Sequence, residues 1–292
     1  MVREHSSLVD ELGFLLSPPV KPFSGVDTDP EEAKIWIIGV PFDSTVSFRP
    51  GTRFAPAKIR EVGWELESYN PLRGIDVEDL QVSDVGDIPL TVEYSVLERH
   101  LKKVIELAMS HSKKTAVIGG EHLITLPIVK TLKKRYGSLR LVVFDAHLDL
   151  RDEYPQGSSY SHATVMRRIS EMGVQILYYK PRAFSREEYE YLSKTPIVSI
   201  AEENDFRQLS GHIYISIDVD AIDPSYAPGV GNPEPLGITP HEILDALSII
   251  ASSNADVVGF DIVETNPLVD VNDVTSLTAA KILMESLFLF AY

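Results

Sequence analysis

Seven short apolar runs rich in β-branched and aromatic residues punctuate the chain, at residues 35–40, 115–118, 141–144, 174–179, 197–200, 213–217 and 257–260. Continuous apolar runs of this length read as strands buried on both faces. Between several of them the period changes to that of a helix. Tyr94, Leu97, Leu101, Val104 and Ala108 mark one apolar stripe, and Ile243, Ala246, Leu247 and Ile250 mark a second. The second stripe is preceded by Thr239, Pro240 and Glu242, a capping-box pattern with proline at the first helical position. Strands alternating with helices imply right-handed crossovers and a mainly parallel sheet covered on both sides. The expected fold class is therefore α/β, a three-layer α/β/α arrangement.

The 292 residues suit one large domain spanning 1–292, with 1–30 as an N-terminal extension, because no linker, low-complexity tract or internal repeat interrupts them. The net charge of −16 argues against nucleic acid or an anionic membrane as partner, and would draw in a small cationic ligand. Cysteine is absent, which excludes disulfides and thiolate chemistry. Glu4, Asp10 and Glu11 surround the short apolar patch Phe14, Leu15 and Leu16, a pattern unlike a signal peptide, and no run approaches the roughly 18 residues of a membrane span. A cytoplasmic location is the expectation.

Chemistry enters just behind two of the predicted strands. Asp145, His147 and Asp149 follow the run at 141–144, and Asp218 and Asp220 follow the run at 213–217. Side chains two apart on extended backbone share a face, so each set is expected to point one way, at the carboxyl ends where open α/β sheets form their crevice. Gly119, Gly120, Glu121 and His122 close the run at 115–118 and bring His122 to the same crevice. Four carboxylates and two imidazoles exceed what one tetrahedral zinc needs and suit two ions sharing carboxylates, with a bridging water held as hydroxide. A mixed oxygen and nitrogen set favours manganese, with cobalt, iron and zinc as competitors. His5, His100, His111, His212 and His241 read as structural or solvated.

These strings, together with Ser161-His162, the segment 216–224, the segment 47–54 and the segment 262–267, resemble the ureohydrolase family of arginases and agmatinases, most of all its agmatinase branch. The resemblance implies an arginase-like fold and two manganese ions per subunit, one held by His122, Asp145, Asp149 and Asp218, the other by Asp145, His147, Asp218 and Asp220. It implies hydrolysis of agmatine to urea and putrescine by a metal-bridging hydroxide that Asp149 orients, with His162 as acid or proton shuttle and Glu264 gripping the guanidinium. N1-aminopropylagmatine, 4-guanidinobutyrate and arginine remain alternative substrates, and a non-catalytic metal- or polyamine-binding relative is a further reading. Relatives assemble as homotrimers or homohexamers. Asp152 and Glu153 are candidates to meet a distal amine, whereas Arg151 would suit a guanidino acid. Lys180-Pro181-Arg182 interrupts the stretch that relatives usually continue as Gly-Ile-Arg, and Leu123 and Ala163 stand where serine and glycine are common.

Overall fold

In a computed structural model, residues 7–290 are described; the first six, His5 among them, lie outside. The elements run α1 (Leu8–Leu15), β1 (Ile35–Gly39), α2 (Ala55–Gly63), β2 (Tyr69–Asn70), β3 (Ile75–Asp76), β4 (Val82–Asp87), α3 (Tyr94–Ser110), β5 (Lys114–Ile118), α4 (Thr125–Tyr136), β6 (Arg140–Phe144), α5 (Val165–Glu171), β7 (Gln175–Tyr179), α6 (Arg186–Lys194), β8 (Val198–Ala201), α7 (Glu203–Arg207), β9 (Ser210–Asp218), α8 (Pro240–Ala251), β10 (Asn254–Val263) and α9 (Val274–Phe290). Eight strands form one sheet in the order β4-β1-β5-β10-β9-β6-β7-β8, and every neighbouring pair is parallel. β2 and β3 form a small antiparallel ribbon apart from it.

Strand alternation divides the apolar side chains between two cores. On β1, Ile35 and Ile37 enter one and Trp36 and Ile38 the other; on β6, Val142 and Phe144 oppose Leu141 and Val143. Helices α2, α7, α8 and α9 cover the first face, and α1, α3, α4, α5 and α6 the second, giving one domain of three layers. The predicted capping box starts α8: Thr239 Oγ1 accepts from Glu242 N, and Glu242 Oε2 accepts from Thr239 N at 2.9 Å. Buried Leu283, Leu287 and Phe288 place the apolar C-terminal stretch in the core. Within the N-terminal segment, Leu8, Leu12 and Leu16 pack on the second face, and Ser17 pairs with Asp87 along the edge of β4. Among the described residues no helix is long and apolar enough to cross a membrane.

After β5 the chain skips two positions before laying down β6, and β9 and β10 later fill the gap. The four central strands therefore end side by side, at Ile118, Val263, Asp218 and Phe144. That reversal creates the crevice at the carboxyl edge of the sheet.

Candidate metal centre and substrate cavity

The six predicted ligands converge in this crevice, though by a different local route from the alternation read in the sequence. β6 stops at Phe144 and β9 at Asp218, so Asp145–Asp149 follow their strand, while Asp218 is the last extended residue of β9 and Asp220 lies on the turn beyond it. The carboxylates themselves make the turns. Asp145 Oδ1 accepts from His147 N at 2.6 Å, and Asp218 Oδ1 accepts from Asp220 N at 2.8 Å, each bending its own backbone two residues on. Asp220 Oδ1 accepts from Ala146 N at 3.1 Å, tying the two turns together.

Two groups result. His122 Nδ1 stands 3.1 Å from Asp145 Oδ2, 3.3 Å from Asp149 Oδ2 and 3.2 Å from Asp218 Oδ2. His147 Nδ1 stands 2.9 Å from Asp220 Oδ2 and 3.5 Å from Asp145 Oδ1. Asp145 thus belongs to both, one oxygen to each, as a shared carboxylate between two cations requires. His122 Nδ1 and Asp145 Oδ2 are fully buried and have no hydrogen-bond partner among the described residues. A buried polar atom left unpaired calls for a physical reason, and a cation between these two, which face each other at 3.1 Å, supplies one. The donor set, oxygen and imidazole nitrogen without sulfur, fits a divalent metal of the manganese type.

The electrostatics agree. Burial, reinforced by the neighbouring Asp145, pushes the Asp149 carboxyl up to about 7. Burial also raises Asp218 well above the usual carboxylate range, with Asp220 and Asp145 adding to it. Asp145 goes the other way: despite its burial, the imidazoles of His122 and His147 beside it hold it low. So many carboxylates crowded in a dry site repel one another until positive charge is supplied.

Behind His122 lies a chain that fixes its ring. Nε2 contacts Ser216 Oγ at 2.9 Å, Ser216 Oγ donates to Asp261 Oδ1 at 2.6 Å, and Thr125 Oγ1 donates to Asp261 Oδ2 at 2.8 Å. With Nε2–H donating to the serine, Nδ1 is left as the free lone pair facing the carboxylates. Sequence reasoning passed over this chain. Two signals could have found it: Ser216 shares a strand face with Asp218, and Asp261 is the lone charge inside an apolar run.

His162 and Glu264 complete the predicted site. Glu264 Oε1 accepts from His122 N at 2.7 Å, and burial beside Glu121 drives its carboxyl well above the ordinary range. His162 Nε2 lies 3.2 Å from Ser47 Oγ, while its backbone N–H donates to Thr45 Oγ1 at 3.0 Å. Thr45 in turn serves Glu121, donating Oγ1–H to Oε1 at 2.6 Å and its backbone N–H to Oε2 at 2.7 Å. Burial lowers the His162 imidazole from its ordinary 6.5 to about 4, so its resting form at neutral pH is uncharged.

A cavity of about 510 Å³ opens from Asp149, Asp218, Asp220, His162 and Glu264 outward past Tyr154 and Phe184. Asp152 and Glu153 do not line it, a correction to the sequence expectation. The Asp152 carboxylate turns to Arg168 Nη2 at 2.6 Å, and Glu153 Oε2 accepts from Gly157 N at 2.9 Å. Nearness in sequence to Asp149 misled, because the backbone reverses there: Asp149 has φ +51°.

Similarity to known proteins points the same way as this geometry. Residues 33–289 match the arginase family model. An agmatinase of Bacillus cereus is 38% identical over 272 residues, covering 88% of this chain and 92% of that protein. An N(1)-aminopropylagmatine ureohydrolase of Thermococcus kodakarensis is 36% identical over 270 residues, covering 89% and 91%. The crystal structure of the agmatine ureohydrolase of Thermoplasma volcanium superposes with a TM-score of 0.82 at 34% identity, over 96% of this chain and 97% of that one. The chain belongs to the arginase family and is an agmatinase-like ureohydrolase.

Proposed function

We propose that this ureohydrolase cleaves agmatine to urea and putrescine, using two manganese ions held by His122, Asp145, Asp149, Asp218, His147 and Asp220. The observation that carries the reading is the meeting of three carboxylate oxygens within 3.1–3.3 Å of a buried, unpartnered imidazole nitrogen, with Glu264 hydrogen-bonded to the same histidine's backbone. When bound, such a cation pair supplies Lewis acidity and lowers the pKa of a water from 15.7 to about 7.

The chain's own groups supply the rest. Glu264 keeps one oxygen on His122 N and offers the other to the planar fork of a guanidinium. Its charge counters the repulsion between a cationic substrate and a cationic site; a unit pair at 4 Å gains about 4 kcal/mol at an effective dielectric of 20. Water adds its oxygen to the guanidinium carbon, and the bond from that carbon to the alkyl-bearing nitrogen breaks. An alkylamine leaves only when protonated. Neutral at rest, His162 takes up the proton given off by the attacking water and hands it to the departing nitrogen, with Ser47 Oγ beside Nε2 as the path to solvent.

Urea release from agmatine, arginine, 4-guanidinobutyrate and N1-aminopropylagmatine at fixed manganese tests this. Agmatine is expected to be turned over best, with D145A and D218A inactive. Equal or better turnover of arginine would refute the substrate, and full activity of D145A would refute the site.

A further inference from the structure

The outer half of the cavity is walled by the aromatic rings of Phe48, Tyr154 and Phe184 and carries three charged side chains, Arg151, Glu188 and Glu234. Two of the three are already engaged. Glu188, 3% exposed, accepts from Leu150 N at 3.2 Å, Ser185 N at 2.7 Å and Ser185 Oγ at 2.8 Å. Arg151 places Nε 3.8 Å from Glu188 Oε2, and its guanidinium lies over the Tyr154 ring at 5.1 Å. Arg151 is thereby drawn toward an acidic partner and stacked on the cavity wall, so its charge is partly offset before any substrate carboxylate arrives. The Glu234 carboxylate makes no hydrogen bond or ion pair among the described residues, although its backbone carbonyl is held at 2.6 Å.

That hold comes from Arg182. Its guanidinium donates to four backbone carbonyls: Asp220 O at 2.9 Å, Ala221 O at 2.8 Å, Glu234 O at 2.6 Å and Pro235 O at 3.1 Å. Arg182, the arginine shared with the Gly-Ile-Arg pattern, therefore clamps the Glu234 wall to the turn bearing a candidate metal ligand. Three residues before Glu234, Gly231 passes directly by Glu264: a Cβ there would stand 3.6 Å from Oε2. Three residues of chain reach at most about 11 Å. Glu234 is thus within one short aliphatic spacer of the carboxylate that grips the guanidinium.

We infer that Glu234 is the specificity-determining residue that receives the distal ammonium of the guanidino substrate, so that the cavity selects amine-tailed over carboxylate-tailed guanidines. The inference rests on the ureohydrolase reading above and adds the residue that reads the far end of the substrate. The aromatic walls suit an alkyl spacer ending in a cation, and Glu234, the uncommitted charge at the mouth among the described residues, has the sign that attracts it.

Steady-state urea release by wild type and Glu234→Gln, on agmatine and on n-butylguanidine, which shares the four-carbon chain but lacks the ammonium, tests it. E234Q is expected to raise KM for agmatine about tenfold, with kcat within about twofold and n-butylguanidine turnover unchanged. Equal losses on both substrates would show a structural role and overturn the inference, and so would an agmatine preference that survives the substitution. No urea from either substrate with wild type would overturn the functional reading, and this inference with it.

Discussion

Thr45→Val offers a sharp test of how His162 is held, because it removes one oxygen and almost no volume. Thr45 Oγ1 donates to Glu121 Oε1 at 2.6 Å and accepts from His162 N at 3.0 Å. Glu121 is fully buried, and burial pushes its carboxyl up to about 7 against the pull of the two Thr45 hydrogen bonds. Valine fills the same space, so the cost is that of stranding a carboxylate oxygen and a backbone N–H. Each unpaired buried group costs about 1–3 kcal/mol. The carboxylate keeps its bond from Thr45 N at 2.7 Å and can relieve part of the rest by taking a proton, so the expected total is about 2–4 kcal/mol.

Equilibrium urea denaturation of the manganese-loaded protein measures that loss, and steady-state kinetics on agmatine measure its functional side. T45V is expected to lower kcat more than it changes KM, because the imidazole rather than the guanidinium subsite loses its reference. Thr45→Ser keeps the hydroxyl and should lie within about 1 kcal/mol of wild type. A T45V loss below about 0.5 kcal/mol, or a T45S variant as impaired as T45V, would refute the claim that this hydroxyl links Glu121 to His162.

Two further outcomes probe other parts of the molecule. Dialysis against a chelator should lower Tm, since a ligand at 100 times its Kd stabilises by about 2.7 kcal/mol, and manganese should restore it; an unchanged calorimetric trace would count against any metal among these carboxylates. At the start of α8, Lys180 and the Thr239 backbone hold Glu242 down to about 2 from an ordinary 4.5. A depressed carboxylate contributes stability that is whole above its unfolded pKa and fades as pH falls toward its folded one, so the Tm gap between wild type and E242Q should be constant above pH 4.5 and shrink toward pH 2. A gap that stays constant through that window would refute this coupling.

Seven of the eight sheet strands were legible because each carries a run of mainly apolar, mostly buried residues; even β8 at the edge, where Ile200 is exposed, keeps the run. β4 was not, because Asp84 and Asp87 interrupt it. Those carboxylates are satisfied by Arg60, on α2, which bonds both, at 2.7 Å to Asp84 and 2.5 Å to Asp87, and by Phe23 N, which donates to Asp84 at 2.9 Å. A strand whose polarity is satisfied by a partner more than twenty residues away leaves no local pattern to read. The ligand strings were legible because their spacing is local, even though turns rather than alternation aim them. Glu234, Arg182 and the Thr45–Glu121 pair were not, since their neighbours come together only when the loops above the sheet converge. Asp152 and Glu153 show the converse error: they are close to Asp149 along the chain and face away from it.

The backbone carries its own record of where the fold and the chemistry conflict. Asp149 and Glu264, the carboxylates that follow β6 and β10, have φ +51° and +65°. Left-handed backbone costs a non-glycine residue about 1–2 kcal/mol, and glycine would remove that cost. Glycine would also remove the carboxylate. What holds the strain is specific. Glu264 N donates to Gly120 O at 2.9 Å while its side chain accepts from His122 N, so the residue is pinned to the β5 loop at both ends. Asp149 O accepts from Met166 N at 3.1 Å and Arg167 N at 3.2 Å, taking up free donors at the first turn of α5. Regular strand ends would carry both side chains onward along the sheet direction. Reversing the backbone turns one carboxylate back toward His122 Nδ1 and the other over the His122 backbone, so both act on the same histidine. The strained φ values are therefore a consequence of needing negative charge at two points that the parallel sheet alone does not reach.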